Sequence, residues 1–451
     1  MAPESPTDVA DPEIFLTAYD PTDLPGTSVD PLGFERAYLF LADKILPGLT
    51  NVVGVGRYFS VFCAGIVLAD VDPSAPPRKQ VAARRDAIMR LERMWALANL
   101  QGASDEDQRQ LLGIRGIRYV QAEMARLQRT GERNARVDFK LLARQGTYGV
   151  LGIYGAVAEG MHLVDRSAYT LTPGIGDELA QAFIQGTRMP TAVRKAVAGE
   201  GTVRLDALAE WGRNASVLNP LPPTEARTLR EALFSDPVRR RMCELLIESP
   251  SIDGDDELTW MNRLASLRTG SGRDQDLADA MSVILAFERC YQLSMVVLTR
   301  LMIMCRVSSS AAIDRPTRRS DRVMINIATE LPIAVATLDR ALSDQRAQVI
   351  GARPEKLEDT LVFLRRAAES TDPLALADMV LRRHSEVQRG KFDGGRRKLP
   401  WMEEQDGALS LTPTRVPETP ADVQSFEDMR PHAYRMFTAQ RLLVGTRSAA
   451  N

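Results

Sequence analysis

The stretch MSVILAFERCYQLSMVVLTRLMIMC (281–305) decides the fold class. It is long and apolar enough to be read either as a membrane span or as the core helix of a globular protein. Three charges separate the two readings: Glu288, Arg289 and Arg300 interrupt the run. A charge at the centre of a bilayer costs about 2.5–3.5 kcal/mol even on the mildest scales. The stretch therefore reads as a buried helix over about 276–306, in a mainly α protein.

Helical periodicity extends outward on both sides. Downstream, helices are expected at 322–346, 355–370 and 373–387, with Pro332 kinking the first or marking its restart. Upstream, VAARRDAIMRLERMWALANL (81–100) places Ile88, Leu91, Trp95 and Leu97/Ala98 toward a core and its Arg and Glu residues away from it. Pro47-Gly48, VDPSAPPRKQ (71–80), LNPLPP (218–223) and SSSAAIDRPTRRSD (308–321) read as breaks. At 451 residues the chain is too long for one core. The expected organisation is a multi-subdomain helical protein. A polar leader (1–30) precedes an N-terminal helical domain (31–136) and a winged-helix-like unit (137–217). A C-terminal helical domain (218–387) and an extended C-terminal arm with a terminal helix (388–451) complete it.

The composition is that of a globular protein, with 44% hydrophobic and 26% charged residues. The formal net charge of −2 exerts no global pull on nucleic acid or membrane, so local patches must carry any such argument. Cys63, Cys243, Cys290 and Cys305 show no CxxC spacing and read as reduced core residues. His162, His384 and His432 are too dispersed for a histidine metal site. The acidic, Pro-rich start lacks the pattern of a signal peptide, so a cytoplasmic location without a membrane partner is expected.

Residues 138–186 carry the most interpretable local pattern. FKLLAR (139–144) and VLGIYGAVAEG (150–160) read as helices, and LVDRSAYTLT (163–172) as strand, tight turn, strand. Thr172 and Pro173 read as the N-cap and first residue of a further helix, whose first turn holds Asp177 and Glu178. The order is winged-helix-like. A basic run precedes it, in which Arg115, Arg118, Arg126, Arg129, Arg133 and Arg136 far outnumber the acids. A phosphate backbone would be attracted to such a surface. These six, with Arg166 at the wing tip, are the candidate DNA contacts. Two more basic clusters lie at 315–322 and 382–398, the second beside Phe392 and Trp401.

Catalytic motifs fail on inspection. Gly54-Val55-Gly56 lacks the third glycine of a dinucleotide loop, and GIRGIR (113–118) has no Walker lysine. IDGDDE (252–257) does not match EF-hand spacing. No catalytic residue, metal ligand or cofactor is assigned. Arg57, beside an apolar helix, reads as a buried arginine paired to a carboxylate.

Three stretches together resemble an uncharacterised family of helical proteins encoded in bacterial mobile and anti-phage defence islands: ILPGLTNVVGVGRYFSVFCAG (45–65), the run at 139–183, and HAYRMFTAQRLL (432–443). Between Pro-Gly and Arg-Tyr, where that family carries polar residues, this chain has Val52, Val53, Gly54, Val55 and Gly56. The resemblance implies a defence system acting beside other protein subunits and brings no catalytic residues. The expected function is a non-enzymatic DNA-binding or scaffolding component. A protein–protein adaptor whose arm wraps a partner and a divergent nuclease are the alternatives.

Overall fold

The computed structural model describes residues 30–266, 272–308, 310–343, 350–351, 354–393, 396–412 and 422–447. The protein is mainly α, with a few short strands. The chain forms two compact units, each built from separated stretches: residues 30–45 with Ser251–Tyr434, and Leu46–Pro250 with residues 435–447. The boundaries expected near 137 and 218 both fall inside the second of these.

The first unit is organised around the helix Arg273–Val307. Its apolar window is 72% buried within the protein, as a core helix requires. Each interrupting charge has a partner. Glu288 is fully buried and accepts from His432 Nδ1 (3.0 Å) and the Tyr434 hydroxyl (2.7 Å). Arg289 pairs with Glu330 at 2.7 Å, and Arg300 with Asp321 at 2.9 Å and Asp422 at 2.7 Å. The helix Arg322–Ser343 packs alongside and runs unbroken through Pro332. Glu355–Ala368 and Pro373–Arg389 follow as expected.

The C-terminal segment differs from the extended arm expected over 388–429. Met402–Gln405 and Ala408–Leu411 pair as antiparallel strands, and the second pairs with Ala312–Asp314, inside the stretch read as a polar connector. Trp401, Met402, Leu409, Val423 and Met429 are buried. His384 supplies the anchor. Its Nε2 accepts from the Trp401 backbone N–H at 2.9 Å, and its Nδ1 lies 3.0 Å from the Pro31 carbonyl. Prolines and glycines made the stretch look unstructured, but these partners lie far away in sequence. Part of it, 394–395 and 413–421, lies outside the described residues.

In the second unit the helix Pro77–Gly102 buries Ile88, Leu91, Trp95, Leu97 and Ala98. The helix Arg57–Val67 packs on it, as does Leu205–Asn214. Arg239 ties the periphery together. It is 1% exposed and donates to the carbonyls of Leu233 (2.7 Å), Pro47 (2.6 Å) and Gly160 (3.2 Å). Leu233 and Gly160 end their helices, so one cation satisfies the free carbonyls of two C-termini where the helix dipole favours it. The four cysteines are buried and unbridged.

The winged-helix-like order forms only in part. Val164–Asp165 and Thr170–Leu171 make the expected hairpin, between the helices Val150–Gly160 and Ile175–Gly186. FKLLAR is not helical, because Phe139 and Leu141 enter the core from a turn rather than from one face of a helix. The following helix starts after Gly174, two residues beyond the expected Thr172 cap.

The crossing of Pro77–Gly102 with Leu205–Asn214 depends on a glycine. A Cβ on Gly212 would sit 1.7 Å from the Ala98 carbonyl oxygen, which belongs to backbone and cannot swing away. Gly212→Ala is therefore expected to lower stability by about 3 kcal/mol, the upper end for overpacking. Gly146→Ala, with nothing near its Cβ, should be neutral. Urea unfolding of both variants checks this, and equal midpoints would contradict the close crossing.

Candidate nucleic-acid interface

The helix Ile117–Thr130 carries most of the basic run, and glycines define both ends. Gly116 is the N-cap at φ +74°, where a Cβ would lie 2.2 Å from the Leu141 carbonyl oxygen. Gly131 is the C-cap at φ +68°. Ile117, Val120, Met124 and Leu127 face the core. Helical spacing then puts Arg118, Ala122, Ala125 and Arg129 on the opposite, exposed face. Arg118 and Arg129 stand about 16 Å apart along the axis.

The seven arginines expected at DNA separate into three kinds. Arg118, Arg129 and Arg133 are exposed and have no ion-pair partner among the described residues; the Arg129 Nε donates only to its own helix, at Ala125. Arg126 and Arg136 are neutralised. Arg126 binds Glu123 (2.8 Å) and Glu132 (2.7 Å), and these contacts raise its pKa. Arg136 pairs with Asp138 at 3.1 Å, both being well exposed.

Arg115 is turned inward, and Arg166 lies half-exposed along the surface. The Arg115 guanidinium donates to the carbonyls of Val52 (3.1 Å) and Tyr148 (3.4 Å), and its backbone N–H to the Tyr58 hydroxyl (2.9 Å). It is an anchor for the start of the basic helix. Arg166, expected at an exposed wing tip, lies back toward the helix Val150–Gly160. Its Nη1 is 3.9 Å from Glu159, and its Nε is buried without a hydrogen-bond partner. The hairpin turn is itself held down, by Arg84 donating to the Ala168 carbonyl at 3.1 Å and by Arg85 over the Tyr169 ring. Lys140 sits over the exposed Tyr119 ring, at 5.1 Å.

Beneath this surface lies a buried polar cluster that sequence reading passed over. Glu92 is 1% exposed and accepts from the Val150 N–H and from Gln145 Nε2, both at 2.8 Å. Tyr58, whose hydroxyl holds the Arg115 backbone, packs against Trp95 and Tyr154. Burial pushes the Glu92 carboxyl up to about 7, against the lowering effect of its two hydrogen bonds. Gln145 Nε2 also donates to the Met89 carbonyl at 2.9 Å, while its Oε1 is buried with no donor. The signal was present in the helical phase, since Glu92 falls among Ile88, Leu91 and Trp95 on the apolar face.

No group of three or more metal-capable side chains occurs among the described residues. Comparison with protein-family models, with curated proteins and with solved structures finds no match.

The raised Glu92 pKa makes stability depend on pH. Between about 4.5 and 7 the folded chain keeps a proton that the unfolded chain releases, so stability falls as pH rises through this window, by about 3 kcal/mol in all. Glu92→Gln leaves no charge to desolvate and is expected to remove that decline, so that its stability relative to wild type rises from pH 5 to pH 8. Urea midpoints from pH 5 to pH 8 test this. A constant difference between variant and wild type across the series would refute it.

Proposed function

We propose that the chain binds nucleic acid through its basic helix and acts as a non-enzymatic component of a multi-protein bacterial antiviral defence system. The observation that carries the reading is the trio Arg118, Arg129 and Arg133, exposed and unneutralised among the described residues: the first two share one helix face with Ala122 and Ala125 between them, and Arg133 follows the C-cap Gly131. Small side chains between two arginines let a polyanion backbone come close to the helix surface. Arginine forks then match phosphate oxygens bidentately. A face of arginine and alanine offers little to discriminate bases, so the expected binding is backbone-directed, sequence-tolerant and salt-sensitive. The defence context rests on the resemblance of 45–65, 139–183 and 432–443 to proteins of such islands.

A scaffolding role has its own support. The helix Arg322–Ser343 exposes an uncharged strip in which Ile325 is 44% and Ile333 65% accessible, beside Thr329, Ala336 and Thr337. A solvent-facing helix side normally carries charge.

Fluorescence anisotropy with a short duplex and the matching single strand, over a salt series, separates the readings. Expected is binding that weakens steeply with salt. Arg118→Glu/Arg129→Glu/Arg133→Glu should reduce the slope by about 2–3, one released counterion per lost contact. Arg136→Glu should change it less. Undiminished binding by the triple variant would remove the basic helix from the interface. Absence of binding at low salt would leave the scaffold reading, and magnesium-dependent cleavage in the same mixtures would favour a divergent nuclease.

A further inference from the structure

The first unit holds a cavity of about 630 Å³ between the helix Pro373–Arg389 and the strands Met402–Gln405 and Ala408–Leu411. Its size is that of small-molecule sites. The helix turns Leu376, Ala377, Val380, His384 and Gln388 to the core, which leaves Arg382, Ser385 and Arg389 along the cavity side at helical spacing. The hydrogen bond from the Trp401 N–H to His384 fixes the first strand against the same helix, and so sets the width of the groove.

Ion pairing divides the wall in two. At one end Arg315 binds Asp378 (2.6 Å) and Glu404 (3.2 Å). Arg318, with no exposed surface, binds the same two carboxylates (3.4 and 3.0 Å) and the Gly407 carbonyl (3.4 Å). Its Nε remains buried without an acceptor. Both acids are thus consumed by two arginines, and the network is left with a donor to spare. Arg382 and Arg389, by contrast, have no ion-pair partner among the described residues. Glu386, one turn from each, pairs with neither. Their Cα atoms are about 10 Å apart along the helix, with the Ser385 hydroxyl between them. Leu381, half-buried, supplies apolar surface in the same cavity, Met402 and Leu409 are buried behind it, and Glu403 offers a hydrogen-bond acceptor.

We propose that this groove is a binding site for a small organic phosphate of nucleotide size. Arg382, Ser385 and Arg389 take the phosphate groups, since two guanidinium forks and a hydroxyl on one helix face match a mono- or diphosphate. The flat, weakly polar part of the ligand lies over Leu381. Glu403 accepts a hydrogen bond from a hydroxyl or amino group on it. Asp378 and Glu404 do not repel the anion, because Arg315 and Arg318 already neutralise them. The site lies wholly within the first unit and does not depend on the basic helix of the second.

Isothermal titration of the full chain with ADP, AMP, adenosine and inorganic phosphate tests the assignment. ADP or AMP is expected to bind at least about tenfold more tightly than either phosphate or adenosine alone. Arg382→Ala/Arg389→Ala should weaken that binding by at least about tenfold with the urea midpoint unchanged, since both side chains are exposed and unpaired. Ser385→Asp, which sets a negative charge between them, should do the same. Absence of nucleotide binding at millimolar concentration overturns the proposal, as does binding that both variants leave intact. Phosphate binding as tightly as ADP reduces the groove to a plain anion site and overturns the nucleotide-sized assignment.

Discussion

A carboxylate sealed in the middle of a 35-residue apolar helix has to be satisfied by something, and in this protein the partner arrives 144 residues later. Glu288 accepts from the backbone and ring of His432 and from the hydroxyl of Tyr434, and Tyr38 and Tyr291 pack on the imidazole. An unpartnered buried carboxylate would cost several kcal/mol, so the end of the first unit must return to the central helix at this register. Arg239 imposes the same condition on the second unit. It fixes the Pro47 loop, the end of Val150–Gly160 and the end of Pro223–Leu233 relative to one another. Apolar burial makes each unit compact, and these buried charges decide which distant segments meet.

The pair Arg57–Glu225 illustrates what such contacts contribute. The two groups lie 3.3 Å apart, Ser60 donates to the same carboxylate at 2.6 Å, and both charges are out of solvent. Burial pushes the Glu225 carboxyl up and the Arg57 guanidinium down, in each case against the pull of the partner. Desolvation therefore outweighs attraction on both sides, and Arg57 Nε has no acceptor at all. A pair of this kind adds little net stability, but losing one member strands the other, so it specifies how Arg57–Val67 meets Pro223–Leu233.

This explains how much of the protein was legible in its sequence. Periodicity located the helices 81–100, 276–306, 355–370 and 373–387 to within a few residues, because an apolar stripe is a local property. The pairing of Arg57 with a carboxylate was legible too, from a cation set in an apolar run. The strands at 402–411 were not, because their partners are Ala312–Asp314 and His384. Nor was the fate of the basic run. Glu123 and Arg126 stand at a spacing that foretells their ion pair. Arg115 and Arg118, only three residues apart, have opposite roles because Gly116 turns the chain between them. The groove beside Arg382 and Arg389 was hidden for the same reason as the strands that form its other wall.

Arginine is the main basic residue here, and much of it is structural. Arg239 caps helices, Arg318 holds two carboxylates, Arg115 anchors a helix start, and Arg300 braces the central helix. Counting basic residues along the chain therefore overstates any anionic interface. What discriminates is the remainder after every pairing has been made. In the second unit that remainder includes Arg118 and Arg129 around two alanines, with Arg133 beyond the helix end; in the first it includes Arg382 and Arg389 around a serine. The first lies on the exposed face of a helix and just past its end. The second lines an open groove of about 630 Å³. The same side chain is thus consumed in one place and left over in another, and only the pairing, not its count along the sequence, tells the two apart.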